Sequence, residues 1–103
     1  MPASRRLPSL SRKEAIILEL LVAKDEMYGL QLVTASKGQL KRGTIYVTLG
    51  RMEEKGYVRS RLEDPPAEEG GLPRRLYEPT ALGRRVLDAW MHAARRFSPE
   101  FAR

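Results

Sequence analysis

The sequence predicts a mostly α domain with one small β-hairpin, in the order helix, helix, helix, hairpin, helix. Three observations predict it. Apolar residues recur at helical spacing in four stretches, 15–22, 28–35, 45–52 and 82–97. After the third stretch the pattern changes to the alternation of a half-exposed strand, Tyr57-Val58-Arg59-Ser60-Arg61-Leu62-Glu63. A segment rich in proline, glycine and acidic residues, Asp64 to Gly71, then breaks the alternation, and Arg74-Arg75-Leu76-Tyr77-Glu78 resumes it.

Each element has local signals. Ser11 with Glu14 three residues on is a capping-box pattern opening the first helix, whose apolar residues cover more than one stripe and whose end falls near 23–25. Met27 to Ala35 reads as a second, shorter helix with Tyr28, Leu32 and Ala35 on one face, and Gly38 as its stop. Leu40 to Gly43 is a turn, and Thr44 opens or caps a third helix that ends at Gly56. Ile45, Leu49 and Met52 share its inward face. Pro73 at the head of the returning strand suits an edge strand, with Leu76 paired towards Val58 or Leu62. Thr80 caps the last helix, which runs from Ala81 to Phe97, and Pro99 stops it. The expected organisation is a flexible basic arm at 1–10, a helix–hairpin domain at 11–79, a C-terminal dimerisation helix at 80–97 and a tail at 98–103.

Length and composition narrow the function classes. A chain of 103 residues suits one domain with a modest core. Lys and Arg number 19 against 13 acids, a formal net charge of +6, which favours an anionic partner, nucleic acid first. The absence of cysteine removes disulfides, thiolate catalysis and cysteine-held metals. No apolar run approaches the roughly 20 residues that span a bilayer, and a cytoplasmic protein is expected.

The helix, helix, helix, hairpin order is the plan of a winged helix-turn-helix. In that plan the third helix enters the DNA major groove. Its opening stretch carries Lys41, Arg42, Thr44, Tyr46 and Thr48, with Arg51 one turn further. Lys and Arg neutralise phosphates or reach guanine edges, hydroxyls bond to phosphates and bases, and a helix N-terminus attracts phosphate. Glu53 and Glu54 mark where contact should fade. Arg59 and Arg61 on the outgoing strand, and Arg74 and Arg75 on the return, can straddle the backbone. The hairpin tip, with Asp64, Glu68 and Glu69, is acidic and would project away from DNA or meet a partner.

On the last helix Leu82, Val86, Trp90, Ala93 and Phe97 form a stripe, read as dimer interface plus core, with a ligand pocket as the lesser alternative for Trp90. His92 is the sole histidine and reads as a surface or interface residue rather than a metal ligand. No nucleophile–base pair, phosphate-cradling glycine loop or paired carboxylates point to an enzyme, and no cofactor or metal is expected.

Three segments together resemble the PadR family of bacterial and archaeal transcriptional regulators. They are Met27-Tyr28-Gly29-Leu30-Gln31-Leu32; Gly43-Thr44-Ile45-Tyr46-Val47-Thr48-Leu49 with Arg51-Met52-Glu53-Glu54-Lys55-Gly56-Tyr57-Val58; and Pro73 through Arg84. The resemblance runs from about Ser11 to Phe97. It implies a winged-helix homodimer that binds an operator, usually as a repressor, and is often released by a small molecule. It places DNA contacts on Lys41, Arg42, Thr44, Tyr46, Thr48, Arg74 and Arg75, and dimerisation on the last helix with help from the first. Two departures stand out. Val47 replaces a proline common among relatives, and the C-terminal part is a single helix, so any effector would bind at the dimer interface. Two other readings remain open: a winged helix that docks a protein through Trp90 or the acidic tip, and a single-strand or RNA binder, which the few exposed aromatics disfavour.

Overall fold

The computed structural model describes residues 10–64 and 71–97, excluding the side chains of Arg96 and Phe97. The expectations for the arm up to Ser9, for Glu68 and Glu69 at the wing tip, for the tail and for the Phe97 side chain lie outside the described residues. The elements are α1 (Arg12–Lys24), β1 (Met27–Tyr28), α2 (Gly29–Ala35), α3 (Ile45–Glu54), β2 (Val58–Glu63), β3 (Arg74–Pro79) and α4 (Ala81–Phe97).

The capping box forms as its spacing predicts. Ser11 Oγ accepts from Glu14 N at 3.2 Å, and Glu14 Oε1 accepts from Ser11 N at 2.8 Å. The Glu14 carboxylate is buried and also takes Lys55 Nζ at 2.9 Å, so one side chain starts α1 and ties it to the end of α3. Ile17, Leu18 and Leu21 of α1, Leu32 of α2, Ile45, Leu49 and Met52 of α3 and Val58 of β2 are fully buried and make the centre of the core.

Three expectations change. Met27 and Tyr28 are not helical: they pair antiparallel with Tyr77 and Leu76, giving a three-stranded sheet in the order β1-β3-β2. Tyr28 is an extended N-cap whose N–H is taken by Gln31 Oε1 at 2.8 Å, so α2 starts only at Gly29. The inward line of this short helix is therefore Gly29, Leu32 and Ser36, while Ala35 and Leu30 are exposed. Secondly, β3 is the central strand, not an edge, and Pro73 lies just outside it, where no ladder hydrogen bond is lost. Thirdly, Leu76 faces Arg61, not Val58 or Leu62. The register is set at the other end, where Thr80 N donates to the Tyr57 carbonyl at 3.0 Å and Val58 comes opposite Pro79.

Two junctions then position α3 and α4. Ser36 Oγ, buried, donates to the Val33 carbonyl at 2.8 Å and accepts from Leu40 N at 2.9 Å, which folds the α2–α3 turn through left-handed Lys37 and Gly38. Thr80 Oγ1 accepts from Gly83 N at 2.9 Å, capping α4, and donates to the Gly56 carbonyl at 2.5 Å. At Gly83 a Cβ would sit 2.1 Å from the Tyr57 carbonyl oxygen, so only glycine lets α4 lie this close to the start of β2. Val86, Leu87 and Ala94 then reach the core from α4. None of the described helices is long and apolar enough to cross a membrane.

Candidate nucleic-acid interface

Because Ile45, Leu49 and Met52 turn inward, the opposite face of α3 is held outward. Thr44 at its N-cap, Tyr46, Val47, Gly50, Arg51 and Glu54 are exposed, and Thr48 is half-buried. Lys41 and Arg42 are exposed in the turn before it. That turn is already helix-like: the Lys41 carbonyl accepts from Thr44 N at 3.2 Å and Ile45 N at 3.0 Å. Thr44 makes no side-chain cap, and Thr48 Oγ1 donates back to the Thr44 carbonyl at 3.1 Å. Among the described residues, Lys41, Arg42 and Arg51 make no ion pair, so their charge is directed at solvent.

The two flanks of α3 differ. On one side Tyr46 faces Tyr28, Leu30 and Gln31 at the start of α2, and Pro73, Arg74 and Arg75 of the wing, across a cleft of about 360 Å³. A Cβ on Gly29 would meet the Tyr46 ring at 2.6 Å. The Arg74 guanidinium lies over the Tyr28 ring, 4.4 Å from its centroid. The Tyr28 hydroxyl donates to Glu63, and that bond, first among several causes, raises the phenol above its ordinary pKa. On the other side Thr44, Val47, Thr48 and Arg51 share a hollow of about 520 Å³ with Leu10, Ser11 and Lys13 at the start of α1.

The wing is tied to α3 by a polar chain. Arg75 Nη1 donates to Ser60 Oγ at 2.9 Å, and Ser60 Oγ donates to Glu53 Oε2 at 2.8 Å. Arg59 pairs with Glu78 at 3.1 Å, and Arg61 with Glu26 at 3.2 Å and Glu63 at 3.8 Å.

The Transcriptional regulator PadR-like family matches residues 17–89, most of the chain. The chain belongs to the PadR-like family. A PadR family transcription regulator from Clostridium difficile R20291 is similar at 27% identity and a TM-score of 0.71, over 84% of this chain and 90% of that one. Bacillus subtilis PadR, solved with operator DNA, is similar at 26% identity and a TM-score of 0.66, over 75% of this chain. The matched part is 45% of that protein, so this chain spans less than half of its length. A PadR family regulator from Eggerthella lenta DSM 2243 shares 27% identity at a TM-score of 0.60, over 80% of this chain and 76% of that one. Among curated proteins no sequence matches this chain. The winged-helix fold expected from the sequence is thus the fold of these regulators, and the family is one of transcription regulators, not of enzymes.

Within this PadR-like fold the predicted site residues separate into groups. Thr44, Tyr46 and Arg51 share the outward face of α3; Lys41 and Arg42 precede it. Arg74 and Arg75 come to the Tyr46 cleft, whereas Arg59 and Arg61 are held by carboxylates on the wing itself. Sequence reading missed Tyr28, Leu30, Gln31 and Lys13, which flank the same face. The Tyr28-Gly29 pair was their signal, because a glycine at a helix start marks a close approach. On α4, Val86, expected on a stripe serving both dimer interface and core, is buried in the chain's own core. Leu82 is exposed, and Trp90 and Ala93 are half-buried. Exposed His92 lies with Asp88 and Arg95, and among the described residues no group of His and acids could hold a metal.

Proposed function

We propose that this PadR-like regulator binds operator DNA as a cytoplasmic homodimer and represses transcription. The observation that carries the reading is the division of α3: one face wholly buried, the other presenting Tyr46 and Arg51 behind Lys41 and Arg42. The similar Bacillus subtilis PadR bound to operator DNA supports it. In this reading the exposed face of α3 enters the major groove. Arg42 and Arg51 read base edges or phosphates, Lys41 and Thr44 take phosphates, and Thr48 lies at the margin of the contact. Arg74 and Arg75 lie against the neighbouring backbone, with Arg59 an outer contact that must first loosen its exposed pair with Glu78. Two copies of α3 sit about 34–36 Å apart, one DNA turn. A small-molecule effector, where one acts, enters between the subunits beside Trp90.

The test is binding to a duplex enriched from a random pool by the protein itself. Arg42→Ala and Tyr46→Phe should each weaken binding by about tenfold or more, the scale of a hydrogen bond to a charged group, and Glu54→Gln should not. Affinity should fall steeply with salt. Variants that bind like the wild type would overturn the assignment of the face. Failure to enrich any duplex would return the protein-docking reading.

A further inference from the structure

Two residues on the outward face of α3 are not explained by the chain's own stability. Val47, in the first turn, is 58% exposed, so its apolar side chain does little for the core. As a β-branched residue it also favours a helix less than the alanine, glutamate or lysine that suit an exposed position. Gly50 stands one turn further on, in the helix interior, where glycine weakens a helix relative to alanine. Its φ is not positive, and an added Cβ would meet nothing within 4 Å among the described residues. Gly29 and Gly83 differ, since a Cβ there would meet Tyr46 or the Tyr57 carbonyl. The chain's own fold therefore gives no reason for a glycine at position 50.

Single exposed apolar side chains are common on protein surfaces, so exposure alone assigns nothing. The position decides. Val47 and Gly50 are three residues apart and so adjoin on one helix face, with Thr44 and Arg51 beside them. This is the face proposed above to enter the major groove, where the first turns of such a helix approach base edges. In that groove guanine, adenine and cytosine present hydrogen-bond donors and acceptors, and thymine alone adds an apolar group, its 5-methyl. A valine set against the polar edges takes water from them and gives no bond in return. Set against the methyl, it covers apolar surface. Gly50, with no side chain, lets the base edge come close to the helix backbone.

We propose that Val47 reads the 5-methyl group of one thymine in each operator half-site, in the space that Gly50 leaves open. Val47 is then a specificity-determining residue, selecting thymine by an apolar contact that the neighbouring cations and hydroxyls cannot make. This rests on the DNA-binding reading above.

The experiment uses the full chain and the duplex that the wild type enriches from a random pool. Each thymine is replaced in turn, in both half-sites, by deoxyuridine, which removes the methyl and keeps every hydrogen-bonding group. At one thymine this should weaken wild-type binding about fourfold per half-site, the worth of one buried methyl. Val47→Ala should bind the unmodified duplex about three- to tenfold more weakly per half-site and should be indifferent to the methyl at that thymine. A cycle over two proteins and two duplexes measures this coupling. The salt slope of Val47→Ala should stay at the wild-type value, since no phosphate contact is lost, and its thermal midpoint should not fall. Gly50→Ala should raise the midpoint by a few degrees yet weaken binding about tenfold, because its methyl occupies the space of the base edge. The proposal is overturned if Val47→Ala responds to every thymine methyl as the wild type does, or if its salt slope drops. Wild-type binding by Gly50→Ala overturns it as well. A wild type that enriches no duplex overturns the DNA-binding reading instead.

Discussion

At the scale of single residues, two glycines carry opposite burdens. Gly83 faces backbone: an added Cβ would lie 2.1 Å from the Tyr57 carbonyl oxygen, which itself accepts from Thr80 N. Neither side can yield without moving α4 off the sheet. Gly83→Ala should therefore cost about 1–3 kcal/mol or more, as overpacking does, and lower the thermal midpoint by roughly 5–20 °C. Gly29 faces a side chain: its added Cβ would meet the Tyr46 ring, which is 51% exposed and can swing aside. Gly29 has no positive φ to strain. Gly29→Ala should leave the midpoint within a few degrees of wild type. Yet it should weaken duplex binding about tenfold, because Tyr46 leaves its place. Melting curves and a binding titration on both variants check the contrast. Equal effects of the two substitutions on stability would refute it. The inward face of α3 was legible in the sequence because Ile45, Leu49 and Met52 follow the helical period. The Tyr46 cleft was not, because Tyr28, Tyr46 and Arg74 come from three separated elements and only the folded chain joins them.

At the scale of elements, the wing is aligned to α3 by Arg75, Ser60 and Glu53. Each side chain is at least partly exposed, so each hydrogen bond contributes little to stability. Its effect is on orientation: Glu53 holds Ser60, and Ser60 holds the guanidinium beside the cleft. Ser60→Ala should leave the thermal midpoint near the wild-type value and weaken operator binding by about three- to tenfold, through a less ordered Arg75. Glu53→Gln should act through the same chain. The double variant should therefore be no worse than Ser60→Ala alone, and a binding cycle over the four proteins measures this. Strictly additive effects would separate Glu53 from Arg75. Glu53 thereby acquires a use that its charge concealed, since an acid on a DNA-facing helix reads as solvated surface. The element order was legible for a related reason. Periodicity, caps and turns are local, and Ser11, Thr80 and Gly56 behave as their positions foretold. Strand β1 was not legible, because two residues become a strand only when β3 lies beside them, and the register depends on the distant contact of Thr80 with Tyr57.

At the scale of the whole molecule, α1 and α4 pack together without closing their joint. Ile16, Leu20 and Val22 of α1 and Trp90 and Met91 of α4 remain half-buried, a line of large apolar side chains that a lone chain leaves partly in water. In the proposed homodimer a second copy would cover this line and would also supply the second α3 for a two-fold operator. Two substitutions separate this role from folding. Val86 is 4% exposed, so Val86→Asp buries a lone charge and should unfold the chain. Trp90 reaches the surface, so Trp90→Asp should fold and be monomeric by light scattering. Linked half-sites bind far more tightly than separate ones, since the second contact is made at high effective concentration. The Trp90→Asp monomer should therefore keep its weak affinity for a duplex carrying one half-site and lose about 100-fold or more on the full operator. A folded Trp90→Asp variant that still dimerises would place the interface elsewhere. A monomer with undiminished affinity for the full operator would show that one winged helix suffices to hold the DNA.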